Sequence, residues 1–262
     1  MKRYIVWVAA LTAWPASLVV GQNPGPMRKD ASPGFDVATI KPTDPTMSRS
    51  GFKINGRRIF ALRENLVDLI TTAYGLHPSQ VQNAPSWGET EYFDVNGEPD
   101  EPGVPNLDQV RGMYRKLLSE RFHLSSHRAQ KELPVYVIRV GKNGPKLKAS
   151  ARAGSVPDQT LNGSGNLRET NATMAEFAGM LQVTVLDRPV IDETGLSGRF
   201  DFTLQWTPDE FQTSGGASPP DAAGTRPSLT TAIQEQLGLK LESTRAPAEV
   251  FIIDKVEKPS GN

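Results

Sequence analysis

The chain predicts an α+β protein built from two tandem, related helix-on-sheet sandwiches with mainly antiparallel or mixed sheets. Three observations carry that expectation. Tyr92-Phe93-Asp94-Val95 followed by Pro99-Asp100-Glu101 is echoed by Phe200-Asp201-Phe202 followed by Pro208-Asp209-Glu210. Leu124-Ser125-Ser126-His127-Arg128-Ala129 and Val135-Tyr136-Val137-Ile138 find counterparts in Leu241-Glu242-Ser243-Thr244-Arg245-Ala246 and Val250-Phe251-Ile252-Ile253. Each expected helix carries one apolar stripe, which must be buried on a sheet. A recurrence of this length points to duplication of one unit, read as β-α-β-β-α-β-β over residues 35–149 and again over 166–262.

Residues 1–21 read as a cleavable signal peptide. Lys2 and Arg3 precede an apolar stretch from Tyr4 to Val20, and Val19-Val20-Gly21 offers small or modest side chains before Gln22. Pro15 and the short span argue against a retained anchor, because about 20 apolar residues are needed to cross a bilayer. Residues 22–34, rich in Pro and Gly, form a flexible lead-in. Phe35–Ile40 alternates as a strand and stops at Pro42 and Pro45. Phe52–Leu62 suits a hairpin turning at Asn55-Gly56. Asn65 caps a helix with Leu66, Leu69, Ile70 and Ala73 on one face, ended by Gly75. Val81 and Trp87 fall in a short extended piece, and Tyr92–Val95 is the next strand. Asn106 opens a second helix, striped by Leu107, Val110, Met113, Tyr114, Leu117, Leu118 and Phe122. Two strands follow near 123–131 and 133–141.

Residues 150–165, small and polar, read as a linker between halves. The second half then repeats the order. Thr173 caps a helix with Met174, Phe177, Ala178 and Leu181 inward, and Pro189–Trp206 forms a strand pair turning at Gly195. Residues 207–227 are a loop insertion rich in Gly, Pro and Ser. Ser228 caps a last helix ended by Gly238, and strands Leu239–Arg245 and Glu249–Val256 close the chain.

Charge and composition exclude several classes. Lys+Arg and Asp+Glu balance at 29 each, and loss of Lys2 and Arg3 leaves a slight negative excess. A nucleic-acid partner would leave a basic excess instead. With no Cys, the fold rests on apolar cores, and thiol chemistry and thiolate zinc are impossible. No integral membrane segment remains once the signal is removed.

No cofactor, metal or catalytic constellation is predicted. His123 and His127 would lie about 13 Å apart along a strand, too far for one metal. Asp192-Glu193-Thr194-Gly195 lacks the spacing and the second loop of an aspartic-protease dyad, and suits a turn. Nucleophile elbows, P-loops and dinucleotide fingerprints are missing. The candidate partner-binding residues are Trp87 and Trp206, suited either to stacking on a sugar or peptide or to core packing. Arg128 and Arg245, at matching places in the echo, either face a shared partner or tie down their own sheets. Val250 and Ile252 lie on the closing strand Glu249–Val256, taken as an apolar sheet edge to which an envelope protein or peptide could add a strand.

Five stretches carry a family resemblance: residues 69–87 (LITTAYGLHPSQVQNAPSW), 117–148, 188–204 (RPVIDETGLSGRFDFTL), 229–242 (LTTAIQEQLGLKLE) and 252–262. Together they resemble an exported family of soil acidobacteria, domain of unknown function 3738. The resemblance carries no activity over. Relatives are similar to C-terminal extensions of BlaR-type membrane metallopeptidase sensors, which implies an extracytoplasmic sensing or interaction role. Residues 174–182, 190–204, 228–242 and 251–256 also resemble, in pattern, the short N-terminal domains of secretins and TonB-dependent receptors, which are protein-binding modules. The expected function is therefore a non-catalytic envelope module. The alternative is an envelope hydrolase of peptide or glycan whose site leaves no sequence motif.

Overall fold

A computed structural model describes residues 25–152, 157–162, 164–208 and 226–259. The expected signal peptide, Asp209-Glu210 and most of the loop insertion lie outside these residues. The described chain is α+β, as its patterning predicts. The first lobe runs β1 (Phe35–Pro42), β2 (Gly51–Asn55), β3 (Arg58–Glu64), α1 (Leu66–Tyr74), β4 (Val81–Gln82), α2 (Ser86–Thr90), β5 (Phe93–Pro99), α3 (Leu107–Arg121) and β6 (Ser125–Val140). The second runs β7 (Lys148–Ala149), β8 (Asp158–Asn162), β9 (Asn166–Ala172), α4 (Met174–Thr184), β10 (Val190–Asp192), β11 (Phe200–Gln205), α5 (Leu229–Leu237) and β12 (Leu239–Lys255).

The duplication is visible in the topology. One sheet has the order β1-β5-β3-β2, and another β7-β11-β9-β8, matching position for position. Local chemistry sets the boundaries. Asn65, Asn106 and Thr173 each make a reciprocal capping box with the residue three further on, and Ser228 caps α5. These are the helix starts expected from sequence. Gly238 ends α5 in the left-handed region at φ 66°, and a Cβ there would meet the Gly144 carbonyl oxygen at 2.2 Å.

The third sheet, β10-β6-β12-β4, joins the lobes. The pairs expected as four separate strands are two uninterrupted ones. β6 and β12 pair antiparallel from Val140↔Leu239 through Ser126↔Ile253. Pro134 and Pro247 do not break them. The Tyr136 N–H points away from β12 to the Pro189 carbonyl, so Pro134, two residues earlier, also turns its missing donor outward. The Glu249 carbonyl likewise faces the Gln80 amide on the outer side, and Pro247 shares that side. Proline is tolerated in a strand where its nitrogen faces outward.

Each long strand therefore starts in one core and finishes in the other. Ile138 is fully buried among the second lobe's Phe177, Leu181 and Leu204. Phe251 and Ile253 are buried among the first lobe's Ile70, Tyr114 and Phe122. The two sandwiches are strand-exchanged, not independent beads. Truncating a buried side chain such as Phe251 costs about 3–5 kcal/mol, and here the cost would fall on the opposite lobe.

Several expectations are corrected. The closing segment Glu249–Val256 is not a sheet edge: β6 covers one side of it, and β4 pairs with Phe251 and Ile252 on the other. Residues 150–165 are not a plain linker, since β8 pairs antiparallel with β9 as a polar edge strand. Trp87 sits in α2, not in an extended piece. Lys148–Ala149 already belongs to the second lobe's sheet through β11.

A single amide also fastens the lobes. Gln182 at the end of α4 is buried, donating to the Gly75 carbonyl of the first lobe at 2.8 Å and accepting from the Val190 N–H at 3.1 Å. Gln182→Leu should strand both backbone groups and lower unfolding free energy by about 2–4 kcal/mol, read from urea denaturation. A change within a few tenths would mean that the clamp contributes nothing.

Candidate functional site

A cleft of about 400 Å³ opens where the end of β1, the end of β3 and the α2–β5 junction meet. Its walls are Pro42, Thr43, Asp44, Pro45, Arg63, Thr90, Glu91, Tyr92 and Phe93. Asp94 organises this corner. Its Oδ1 accepts the Thr43 hydroxyl at 2.7 Å and the Arg63 backbone N–H at 2.9 Å. Arg63 is held at φ 56° beside an irregularity in the β3–β5 pairing, a left-handed conformation that non-glycine residues seldom adopt. Its guanidinium lies over the Tyr92 ring, 4.1 Å from the centroid.

The second lobe repeats the framework with different tenants. Asp201 takes the place of Asp94 and accepts the Asn171 N–H at 2.8 Å, with Asn171 at φ 63°. The Ser150 hydroxyl and then that amide hold the Asp201 carboxyl below its ordinary range. Arg199 stands where Tyr92 does, and its guanidinium grips Glu176 at 3.0 and 3.3 Å and the Asn171 carbonyl at 2.5 Å. The echo noticed in sequence between Phe93-Asp94 and Phe200-Asp201 is thus a repeated anchoring device.

The residues singled out from sequence do not converge. Trp206 is 2 % exposed and belongs to the second core. Trp87 packs on the first core with Lys258 Nζ 5.9 Å from its ring. Arg128 pairs with Glu249 and lies 5.8 Å from the Tyr74 ring, whereas Arg245 donates to the Glu132 carbonyl at 3.2 Å. They are not equivalent positions. Tyr136 and Phe251 hold matching places against the short parallel strands, and His123 and Gly238 hold matching left-handed positions. Counting along strands without a break in their mutual register puts Ser243 in the place of Arg128, and Arg245 in that of Gln130. Val250 is fully buried, and Ile252 is half-buried beside Gln82 of β4.

A family model described as a protein of unknown function (DUF3738) matches residues 67–256, from the second residue of α1 to just beyond β12. The chain belongs to this family. No curated protein and no solved structure matches it.

The DUF3738 chain holds one buried and one partly buried carboxyl, Glu169 and Glu64, that no sequence motif marks. Glu169 in β9 is 3 % exposed, beside Phe202 of the neighbouring strand. Burial, then the nearby Glu176 and Asp158 carboxylates, push it up to about 7. Glu64 at the end of β3 is raised to about 7 by burial and then by Asp68. Beside it, burial and then Glu64 raise the phenol of Tyr114, whose hydroxyl is buried with no hydrogen-bond partner among the described residues. Each raised glutamate therefore neighbours the capping-box acid of its lobe's first helix, Asp68 or Glu176. A sequence signal existed for Glu169: it lies two residues after inward-facing Leu167, on the same face of a strand. Among the described residues no group of three His, Cys, Asp or Glu could hold a metal ion.

These carboxyls set a pH dependence. A glutamate raised from 4.5 to about 7 binds its proton more tightly folded than unfolded. Its effect is nil below about pH 4.5, and it lowers stability progressively as pH rises to about 7. Glu169→Gln should remove its share, raising unfolding free energy at pH 8 relative to pH 4.5 by about 2–3 kcal/mol compared with the parent. Parallel pH–stability curves for both proteins would refute this.

Proposed function

We propose that the chain is an exported, extracytoplasmic binding or sensing module of the cell envelope, and that the Arg63–Tyr92 cleft is where it takes a peptide or an exposed protein segment. One observation supports this most. The two lobes share the same carboxylate-anchored corner, yet in the second its guanidinium, from Arg199 at the Tyr92 position, is engaged by Glu176, while in the first that of Arg63, at the Asn171 position, lines an open cleft. A scaffold that pairs the guanidinium with its own carboxylate in one copy and not in the other suits recognition at the unpaired copy. Export is favoured by the charged and apolar pattern of residues 1–21, and among the described residues no helix is long and apolar enough to cross a membrane. Strand addition at Glu249–Val256 is set aside, because both sides of Phe251 and Ile252 are already paired.

A hydrolytic reading has one observation in its favour. Glu64, raised to about 7, is poised for proton transfer near neutrality. It faces Tyr114, however, and does not line the cleft.

The test titrates the protein lacking residues 1–21 with short peptides and cell-wall fragments, followed by NMR and by product analysis. Saturable shifts at the cleft with no product are expected. Product formation abolished in Glu64→Gln would replace binding with hydrolysis.

A further inference from the structure

We infer that the cleft selects ligands bearing a free carboxylate, which Arg63 receives through its planar guanidinium. This rests on the binding reading above and deepens it by naming the chemistry recognised.

The internal duplication serves as a control. In the second lobe a guanidinium at this corner meets a carboxylate in a two-pronged ion pair: Arg199 Nη1 and Nη2 lie 3.0 and 3.3 Å from the two Glu176 oxygens. Glu176 is the third residue of α4 and closes the capping box with Thr173. The residue at the same point of α1 is Asp68, one methylene shorter, whose Oδ2 is turned to the Asn65 N–H at 3.1 Å. Asp68 influences Arg63 only at longer range. Among the described residues no carboxylate comes within ion-pair distance of Arg63.

The two acids on the cleft wall are otherwise engaged. Asp44 Oδ1 accepts the Thr46 hydroxyl at 2.7 Å and the Thr46 N–H at 2.8 Å, which hold this carboxyl below its ordinary range. Glu91 is paired with Lys258 at 2.6 Å. The Arg63 residue is meanwhile held at both ends, its backbone N–H by Asp94 and its guanidinium by the Tyr92 ring 4.1 Å away. A flat, preoriented guanidinium favours planar, two-oxygen acceptors, and stacking on a ring leaves its edge donors free for one. Pro42, Pro45 and Phe93 supply apolar wall to the cleft. A volume of about 400 Å³ accommodates a ligand the size of two or three amino acids or a sugar acid.

Two sources offer this chemistry: the C-terminus of a peptide, and an acidic sugar. The experiment titrates the protein lacking residues 1–21 with trialanine, trialanine amide and a digalacturonate, reading backbone amide shifts at Thr43, Arg63 and Tyr92. At least one acid should bind in the millimolar range or tighter while the amide does not. Trialanine binding assigns the peptide terminus, and digalacturonate binding assigns the sugar acid. Arg63→Gln keeps a non-glycine residue at the strained φ and should weaken that acid roughly 10- to 100-fold, with Arg63→Lys in between. An unchanged spectrum in Arg63→Gln away from the cleft shows that the fold persists. Equal binding of acid and amide, undiminished binding by Arg63→Gln, or no response to either acid would overturn the assignment. Probe shifts clustered elsewhere and indifferent to Arg63 would sink this site while leaving the protein a binder.

Discussion

The whole structure depends on one constraint: β6 and β12 pair along nearly their full length, and each delivers its second half to the core of the opposite lobe. A small sandwich of one sheet and two helices has an open side. Here that side is closed by the far end of the other copy's last strand, flanked by a two- or three-residue parallel strand, β4 or β10. Neither lobe completes its core from its own contiguous chain. Without disulfides, the shared ladder and the Gln182 amide are what hold the copies in register.

That rigidity lets the copies diverge at the periphery. Both retain a carboxylate, Asp94 or Asp201, that clamps a left-handed residue ahead of the first helix. Around this fixed corner the side chains have been dealt differently. Arginine over tyrosine lines a cleft in one lobe, and arginine grips glutamate in the other. The raised glutamates have diverged similarly, each beside its lobe's capping-box acid but at a different strand position: Glu64 stands where the second lobe has Ala172, and Glu169 where the first has Ala61. Function in such a protein is carried by a few substitutions on a scaffold that tolerates them.

Much of the fold was legible because its signals are local. Asn65, Asn106, Thr173 and Ser228 announce helix starts through side chains that satisfy their own helices, and the apolar stripes say which face is buried. The echo between Phe93-Asp94 and Phe200-Asp201 disclosed the duplication. The strand exchange was hidden because Pro134 and Pro247 look like stops. Only the direction of each missing N–H, a tertiary fact, makes them harmless. The register of the second echo is hidden for the same reason, since two separate strands would allow a gap that one continuous ladder forbids. The cleft leaves no sequence signal because its walls come from three separated segments, and Arg63 in isolation is an ordinary charged residue.

The most direct measurement follows each lobe's own tryptophan through urea unfolding. Beyond residue 21 the chain has only Trp87, on the first core, and Trp206, in the second. Trp87→Phe leaves a reporter on one lobe, and Trp206→Phe leaves one on the other. Shared strands require each reporter to move in step with circular dichroism recorded on the same variant, in a single transition with one midpoint and slope. A lobe reporter that shifts well before or after the loss of secondary structure would show that the copies fold independently, contradicting the exchange.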